Sequence, residues 1–283
     1  MRPPANPAPE LIPIVERILM AVAIRIDVTT SGIWQLSSIV LSDGGECLVV
    51  DPGYFPRELV DLARLAGERG RARGVVFTHG HWDHVVGWTA FPEAAVHASR
   101  ALADAVAGGG ELARANLDKA RDFDGRWYVD RSLAWPASVA ALGEGDSLTV
   151  GGAAVRALLL PGHSPDGLAL IADGTLLCGD YLSPLEIPFV DDLAAYRQTL
   201  ARMLALLGEL DQVVPGHGPR LSPGEARTIA RADLAYLDAL ARCAERGDDA
   251  GAAAIALPRA ASVPGMREHH AANWQACRRR TPG

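Results

Sequence analysis

The sequence predicts a mixed α/β (α+β) domain that is followed by helices at its C-terminal end. Short apolar runs, which are typical of strands, alternate with longer segments in which leucines recur at helical spacing. Several of these runs end in a glycine-containing loop that carries a histidine or an aspartate. At 283 residues the chain can form one large domain with an appended segment and can bury an ample core.

Residues 1–21 are expected to form an N-terminal extension. Residues 1–10 are rich in proline and alanine and are predicted to be poorly ordered. Residues 11–26 are apolar, but Pro13 and several charged residues interrupt them, and they lack the basic start and cleavage site of a signal peptide. We therefore predict no membrane segment and expect a cytoplasmic protein.

The main domain is expected to span residues 22–221, and its first half is predicted to contain five strands and three helices. The expected strands are residues 24–28, 33–41, 46–50, 74–77 and 94–97. The expected helices are residues 56–69, 99–107 and 111–122. Leu59, Leu62 and Leu65 recur at helical spacing in the first helix, and Ser99 can cap the second.

The densest group of potential metal ligands directly follows the strand predicted at 74–77. It consists of His79, His81, Asp83 and His84. Neutral imidazole and carboxylate bind zinc and similar ions, and His79 and His81 would point to the same side of an extended loop. If a helix begins after His81, Asp83 and His84 turn to a different face and can serve a second ion. His97 is not expected to be a ligand.

An insertion is predicted at about residues 99–135, because the connection from His84 to the next candidate ligand is longer than a strand-helix-strand unit requires. Long connections in compact domains often form substrate walls. We expect Trp127, Tyr128 and Trp135 to line a pocket; the alternative is that these side chains only pin the insertion onto the core.

The second half of the domain is predicted to deliver three more ligands from loops that follow strands. The expected strands are residues 148–150, 153–160, 168–171, 175–178 and 212–214, and a helix is expected at 192–207. The candidate ligands are His163, Asp180 and His217, and each comes directly after one of these strands. Residues 181–190 form a loop beside Asp180, from which Tyr181 and Glu186 are expected to reach substrate, as is Trp82 from the first metal loop.

Residues 222–283 are predicted to form a C-terminal helical extension. The expected helices run from Ser222 to about residue 246, over 250–257 and over 266–279, and the Ser222-Pro223-Gly224-Glu225 segment provides a cap. His269 and His270 are adjacent and would point in different directions on a helix, so they are poor joint ligands. A substrate role for either histidine or for Asn273 is the alternative to a surface position.

Charge and cysteine content limit the classes of partner. The net charge is −7 and the pI is near 5.6, so no broad basic surface for nucleic acid is expected. The four cysteines are scattered without a Cys-x-x-Cys pair, which favours reduced thiols over disulfides or a cysteine zinc site. The expected partner is a small-molecule substrate, and the sequence is also compatible with a homodimer.

The ordered set of seven candidate ligands resembles the metallo-β-lactamase-fold hydrolases, in the branch that has a complete two-metal site. The resemblance covers about residues 22 to 220 and implies a four-layered αββα sandwich with the site at one edge of its two sheets. The ligands that it implies for the first metal are His79, His81 and His163. Those that it implies for the second metal are Asp83, His84 and His217, and Asp180 would bridge the two. The resemblance also implies that Asp51 supports the ligands, although Asp51-Pro52-Gly53 also has the composition of a turn.

The residue types at these positions discriminate within the family. An aspartate at the position of Asp180 is similar to the glyoxalase II-like thioesterases, lactonases and phosphodiesterases rather than to the true β-lactamases. The di-iron flavoproteins have a glutamate in place of His81. Because no ligand of the second site is missing, we expect two divalent metal ions, with zinc as the first expectation and iron or manganese as alternatives.

The expected reaction is metal-assisted hydrolysis. A water shared by two ions has a pKa that falls from about 15.7 towards 7, and the hydroxide attacks a carbonyl carbon or phosphorus. Asp83 is expected to orient the nucleophile and accept its proton, and Asp180 to bridge the ions. The expected substrate is a small ester-type molecule, such as a thioester or lactone; the alternatives are a phosphodiester or the reaction of a mononuclear iron sulfur dioxygenase.

Overall fold

The computed structural model describes residues 23–259 and 265–279. The expected N-terminal extension, residues 1–21, lies outside the described residues. Within the described part of the chain, eleven strands form two sheets and eight α-helices cover them. The predicted mixed α/β class is confirmed.

The first sheet contains six strands that lie side by side in chain order. Its strands are β1 (Arg25–Thr30), β2 (Ser37–Ser42), β3 (Glu46–Val50), β4 (Arg71–Val76), β5 (Ala95–Ser99) and β6 (Ala140–Leu142). The first three pair antiparallel, and β3 to β6 pair parallel. Parallel pairing requires crossovers, which helices supply.

The second sheet contains five strands in the order β11-β10-β9-β8-β7. Its strands are β7 (Ser147–Val150), β8 (Ala153–Leu159), β9 (Leu168–Ala172), β10 (Thr175–Leu177) and β11 (Gln212–Val214). All its neighbours pair antiparallel except β10 and β11, which are parallel. The carboxyl ends of β10 and β11 therefore lie at the same edge.

The two sheets pack face to face because both faces of their strands are apolar. In β2, Ile39 and Leu41 belong to a core cluster that contains residues of both sheets, whereas Val40 belongs to a cluster with the outer helices. Leu48 and Val49 of β3 alternate in the same way. This period of two buries one set of side chains between the sheets and the other beneath helices.

Helices form the two outer layers. Those that follow the first sheet are α1 (Pro56–Arg69), α2 (Trp82–Val85), α3 (Arg100–Ala107) and α4 (Glu111–Arg126). Those that follow the second sheet are α5 (Leu193–Leu206), α6 (Pro223–Arg246), α7 (Asp249–Ala253) and α8 (Met266–Arg279). A 3-10 turn, Val86–Ala90, extends α2. No helix within residues 23–259 and 265–279 is both long and apolar enough to cross a membrane.

The predicted strand over residues 33–41 is wrong at its beginning. Trp34 and Gln35 have positive φ angles of 46° and 55°, and residues 31–36 form a turn before β2 begins at Ser37. Non-glycine residues rarely adopt this conformation, so the sequence carries no signal for it. Strand β6 was not expected, and α4 extends to Arg126 instead of residue 122.

Both predicted helix caps are present. The Ser99 side chain accepts a hydrogen bond from the Leu102 amide. The Ser222 side chain accepts one from the Glu225 amide, and the Glu225 carboxylate accepts one from Ser222 N, which is a reciprocal capping box. The helices observed after Ser222 differ from the predicted ones only in length, because α7 ends at Ala253 instead of at residue 257.

Candidate metal centre

Four loops meet where strands β4, β8, β10 and β11 end, and they carry the seven candidate ligands. The loops are tied to one another by their backbones: Leu168 N donates to Thr78 O at 2.7 Å, and Gly216 N donates to Gly179 O at 2.6 Å. Gly216 must be glycine, because a Cβ atom there would lie 2.5 Å from Asp180 Oδ1. The close packing of these loops fixes the position of each ligand.

The seven side chains form two adjacent groups that are suited to metal binding. One group contains His79, His81, His163 and Asp180, and the other contains Asp83, His84 and His217. Within each group the potential ligand atoms lie within 4.8 Å of one another. The short helix α2 begins directly after His81, and Asp83 and His84 belong to the second group, although the His84 ring lies 4.2 Å from that of His79.

Asp180 lies between the two groups and faces each with a different oxygen. Its Oδ2 is 3.5 Å from His79 Nε2 and 3.4 Å from His163 Nε2. Its Oδ1 is 3.1 Å from His84 Nε2 and 3.4 Å from His217 Nε2. A single carboxylate is thus placed to serve both groups.

Several polar atoms at this centre are buried without a hydrogen-bond partner. They include His79 Nε2, His84 Nε2 and Asp180 Oδ1. Leaving such atoms unsatisfied costs about 1–3 kcal/mol each, so native proteins rarely do so without a reason. Imidazole nitrogens and carboxylate oxygens that converge in this way fit a divalent metal ion.

The far ring nitrogens of three histidines are held by hydrogen bonds. His84 Nδ1 lies 2.9 Å from Asp51 Oδ2, His163 Nδ1 lies 3.2 Å from Phe189 O, and His217 Nδ1 lies 3.0 Å from Trp34 O. Because each acceptor fixes the proton on Nδ1, each Nε2 is left free to face the centre. These contacts set both the tautomer and the orientation of the rings.

Asp51 is the most connected of the supporting residues. Its Oδ1 accepts from Thr78 N at 2.8 Å, and its Oδ2 accepts from Thr78 Oγ1 at 2.6 Å as well as facing His84. Asp51 is buried and has a φ angle of 47°, so it also forms the turn after β3. The two interpretations of the Asp-Pro-Gly segment therefore apply together.

Charge divides the histidines into two kinds. Burial lowers the pKa of His79, His81 and His163, to about 3 for His163, so these rings are neutral at pH 7. Burial acts in the same direction on His217, but Asp180, Asp83 and Glu186 raise its pKa to about 9. The carboxylates at this centre thus favour a positive charge beside them, which a bound cation would also supply.

A cavity of about 400 Å³ opens onto both groups. Its floor consists of the ligands His81, Asp83, His163, Asp180 and His217. The other lining residues are Trp34, Trp82, Lys119, Glu186, Phe189, Met266 and His269. The Trp34 ring packs against Trp82, and the Phe189 ring packs against His269. The volume is that of a small-molecule site, and its walls are mostly apolar.

Only two of the six side chains predicted to touch substrate, Trp82 and Glu186, line this cavity. Trp127 is 62% exposed and Tyr128 is 96% exposed, both at the end of α4. Trp135 packs against Phe77, and its Nε1 donates to Ala113 O, so it pins the insertion onto the core.

Tyr181 is also absent from the cavity walls. Its side chain is buried, and its hydroxyl donates to Pro161 O at 2.8 Å and accepts from His163 N at 3.0 Å. Tyr181 therefore holds the loop that carries His163. It supports a candidate ligand and does not line the cavity.

The C-terminal helices position the loop that supports His163. The Asn273 side chain accepts from Val190 N and donates to Pro188 O, and His270 is buried between Tyr236 and Ala252 O. These contacts fix residues 188–190 and with them the carbonyl of Phe189. Of the three residues considered on α8, only His269 lines the cavity, where its ring lies 4.1 Å from that of Phe189.

Sequence reasoning missed Trp34, Lys119, Phe189 and Met266. Trp34 was assigned to a strand, although its ring packs edge-on against Trp82 at 5.5 Å. No local pattern distinguishes these residues from core or surface positions, because their partners lie far away in the chain.

This arrangement of candidate metal ligands at one edge of an αββα sandwich is that of a hydrolase fold, and comparison with known proteins shows the family. The family model of the metallo-beta-lactamase superfamily matches residues 32–234. The chain therefore belongs to the metallo-β-lactamase superfamily.

Two curated relatives and one solved structure are similar to this chain. A hydroxyacylglutathione hydrolase of Anaeromyxobacter dehalogenans is 35% identical over 144 residues, which are 50% of this chain and 44% of the relative. An acyl-coenzyme A thioesterase of Gallus gallus is 27% identical over 199 residues, which are 60% of this chain and 68% of the relative. The chain thus spans less than half the length of the bacterial relative.

The solved structure is similar in fold. A metallo-beta-lactamase family protein from Thermus thermophilus superposes with a TM-score of 0.64 at 18% identity, covering 90% of this chain and 91% of that one. Its similarity extends past the sandwich to most of the chain.

Proposed function

We propose that this protein is a metal-dependent thioester hydrolase that uses two divalent ions, with zinc as the first expectation. The observation that carries the proposal is the position of Asp180, whose two oxygens face different histidine groups. Support for a thioester comes from the two curated relatives, whose names describe a glutathione thioester and a coenzyme A thioester as substrates. The two names differ in the thiol, so the proposal leaves the thiol open.

The residues that would hold the ions are the seven candidate ligands, five of which are buried and two of which, His81 and Asp180, are partly exposed. When bound, two divalent ions supply charge that polarises a carbonyl oxygen and lower the pKa of a water molecule. The carboxylates of Asp83 and Asp180 and the neutral histidine rings provide the oxygen and nitrogen donors that such ions accept. The hydrogen bonds to Asp51, Phe189 O and Trp34 O keep three of the rings in the required tautomer.

The side chains around the centre have separate tasks in the proposed hydrolysis. Asp83 accepts the proton of the attacking water and returns it to the departing sulfur, so that thioester and water give a carboxylic acid and a thiol. The indoles of Trp34 and Trp82 and the ring of Phe189 form apolar walls that exclude bulk water from the reacting carbonyl. The cavity volume of about 400 Å³ is large enough for an acyl group together with part of its thiol.

A matched panel of substrates tests the proposal. Metal-loaded protein is assayed with a thioester, the oxygen ester of the same acyl group, a lactone and a phosphodiester, with His81→Ala as the inactive control. The proposal predicts that kcat/KM is highest for the thioester, by about tenfold or more, and that His81→Ala abolishes turnover. Preference for the phosphodiester, or oxygen consumption with a single bound iron, would overturn it.

A further inference from the structure

The chain contains one lysine, and that lysine lines the candidate active-site cavity. The 27 basic residues comprise 26 arginines and Lys119. Lys119 lies in the middle of α4, and its side chain forms part of the wall that also contains Trp34 and Trp82. A compact ammonium group on a flexible stem therefore lines the cavity that opens onto the candidate metal ligands.

Lys119 is the only lysine or arginine that lines the cavity among the residues that the structure describes. The acidic side chains that line the cavity are Asp83, Asp180 and Glu186. Glu186 is buried beside the floor, and burial raises its pKa to about 7. A negatively charged group of a substrate would be attracted by Lys119 and repelled by these carboxylates.

The ammonium of Lys119 has no ionic or hydrogen-bond partner within residues 23–259 and 265–279. Its basic neighbours on α4 are occupied, since Arg114 donates to Gly109 O and Arg121 pairs with Asp118. The whole chain has 34 acidic residues against 27 basic ones, so acidic partners are not scarce. Lys119 is exposed and available to a ligand.

The helix that carries Lys119 is fixed to the core on both sides of it. Asp124, one turn further along, accepts from Tyr54 Oη at 2.7 Å and from Arg131 Nε at 2.8 Å. Earlier in the helix, Ala113 O accepts from Trp135 Nε1 at 2.9 Å. The backbone at Lys119 therefore holds a constant position relative to the metal ligands, and only the lysine side chain needs to move.

We propose that Lys119 binds a carboxylate or phosphate of the substrate and so restricts the enzyme to thioesters with a second, negatively charged group away from the reacting carbonyl. The proposal rests on the thioester hydrolase function. The anion can belong to the acyl half or to the thiol half. A lysine suits this task because its compact charge can follow groups of different geometry, whereas an arginine fork favours one planar arrangement.

Two pairs of synthetic thioesters test the specificity. In one pair the acyl half ends in a carboxylate or in the corresponding carboxamide, and in the other pair the thiol half does. For Lys119→Ala we expect KM to rise about tenfold for one anionic substrate while kcat and both carboxamide substrates stay unchanged. Lys119→Arg should recover most of the affinity. Arg121→Ala, on the same helix but outside the cavity, should match the wild type.

A binding measurement without turnover uses the uniqueness of this lysine. An amine-selective acylating reagent is applied to the metal-loaded protein, and peptide mapping separates Lys119 from the N-terminal amine. A non-hydrolysable thioether analogue that carries the carboxylate should slow labelling of Lys119 about tenfold, whereas its carboxamide should not.

The outcomes separate this proposal from the function on which it rests. If the wild type hydrolyses all four thioesters and Lys119→Ala affects them equally, the anion site is overturned and the hydrolase stands. If no thioester is hydrolysed, the proposed function fails, and the labelling experiment still decides whether Lys119 binds an anion. Equal labelling with the carboxylate and carboxamide analogues overturns the site.

Discussion

The carboxylate of Asp180 and the imidazole of His84 approach to 3.1 Å, and both atoms are buried without a hydrogen bond that satisfies them. The second oxygen of Asp180 faces His163 of the other group at 3.4 Å. The two groups are thus joined through one side chain, whose negative charge would lower the cost of placing two cations near each other. This relationship makes Asp180 the most informative position to change.

Asp180→Asn should remove the link between the two groups. The amide has nearly the same size, but it is neutral and replaces one oxygen ligand by a nitrogen that donates hydrogen bonds. We expect less than two metal ions per chain and a fall in kcat of about a hundredfold or more. Elemental analysis of the dialysed protein and steady-state kinetics measure both effects.

Asp173→Asn is the matched control for that variant. Asp173 has a φ angle of 44° in the turn that precedes β10, at the opposite end of this strand from Asp180. Asparagine tolerates this conformation, so metal content and kcat should equal those of the wild type. Full metal content in Asp180→Asn would mean that Asp180 does not bridge.

Asp51→Asn should weaken the second metal site without removing a ligand. One carboxylate oxygen of Asp51 accepts hydrogen bonds from both His84 Nδ1 and the Thr78 hydroxyl. An amide at this position is neutral and weakens both hydrogen bonds. Loss of such supporting contacts lowers metal affinity by about 10- to 100-fold. Competition with a chromophoric chelator measures the affinity of each site, and unchanged values at both sites would show that Asp51 only shapes the turn.

The two tryptophans Trp82 and Trp127 should behave differently when each is replaced by alanine. Trp82 lines the cavity, so its removal should raise KM by about fivefold or more, as expected for lost apolar contact of 1 kcal/mol or more. Trp127 is 62% exposed outside the cavity, so its removal should leave KM unchanged. A raised KM in Trp127→Ala would show that the end of α4 contacts substrate and would contradict this prediction.

Asp27 provides a test of stability against pH that is independent of the metal centre. Hydrogen bonds from Arg69 and Arg25 lower the pKa of Asp27 to about 2. A carboxylate with a lowered pKa stabilises the folded state above its ordinary pKa, and this contribution is lost as the pH falls through the folded value. Because Arg25 is 62% exposed, we expect Asp27 to contribute only about 1 kcal/mol to the free energy of unfolding at pH 7, and about half of that at pH 3.

Urea unfolding of Asp27→Asn at both pH values measures that contribution. The difference from the wild type should shrink as the pH is lowered from 7 to 3. Asp61→Asn is the control, because Asp61 pairs with Arg57 at a more exposed position and its loss should change the free energy of unfolding little at either pH. A difference that grows at low pH would contradict the assigned pKa direction.

The ligands could be found from the sequence because each of them follows a short apolar run. Strands order such loops at one edge of a sheet, so the positions of His79, His163 and His217 in the sequence imply their proximity in space. The assignment of Asp83 and His84 to a second group also followed from local geometry, because a helix that begins after His81 rotates the next side chains to another face. These inferences need only periodicity and the chemistry of side chains.

The walls of the cavity could not be found in the same way. Trp34 lines the cavity in a turn where residues 34 and 35 adopt positive φ angles. Neither residue is a glycine, so the sequence does not indicate this conformation. Trp127 and Tyr128 were expected in the pocket because they lie in a long insertion, but the direction of a side chain at the end of α4 depends on where that helix docks. Asn273 supports a loop 83 residues earlier through Val190, and such a contact has no local signal.

The most direct test of the account is the number of metal ions bound per chain at saturation, measured by elemental mass spectrometry on protein dialysed against buffer. We expect two ions for the wild type and one or fewer for His84→Ala. His97→Ala, which changes a half-buried histidine outside the centre, should still bind two. A wild-type protein that binds a single ion, with no change in His84→Ala, would contradict the two-metal centre.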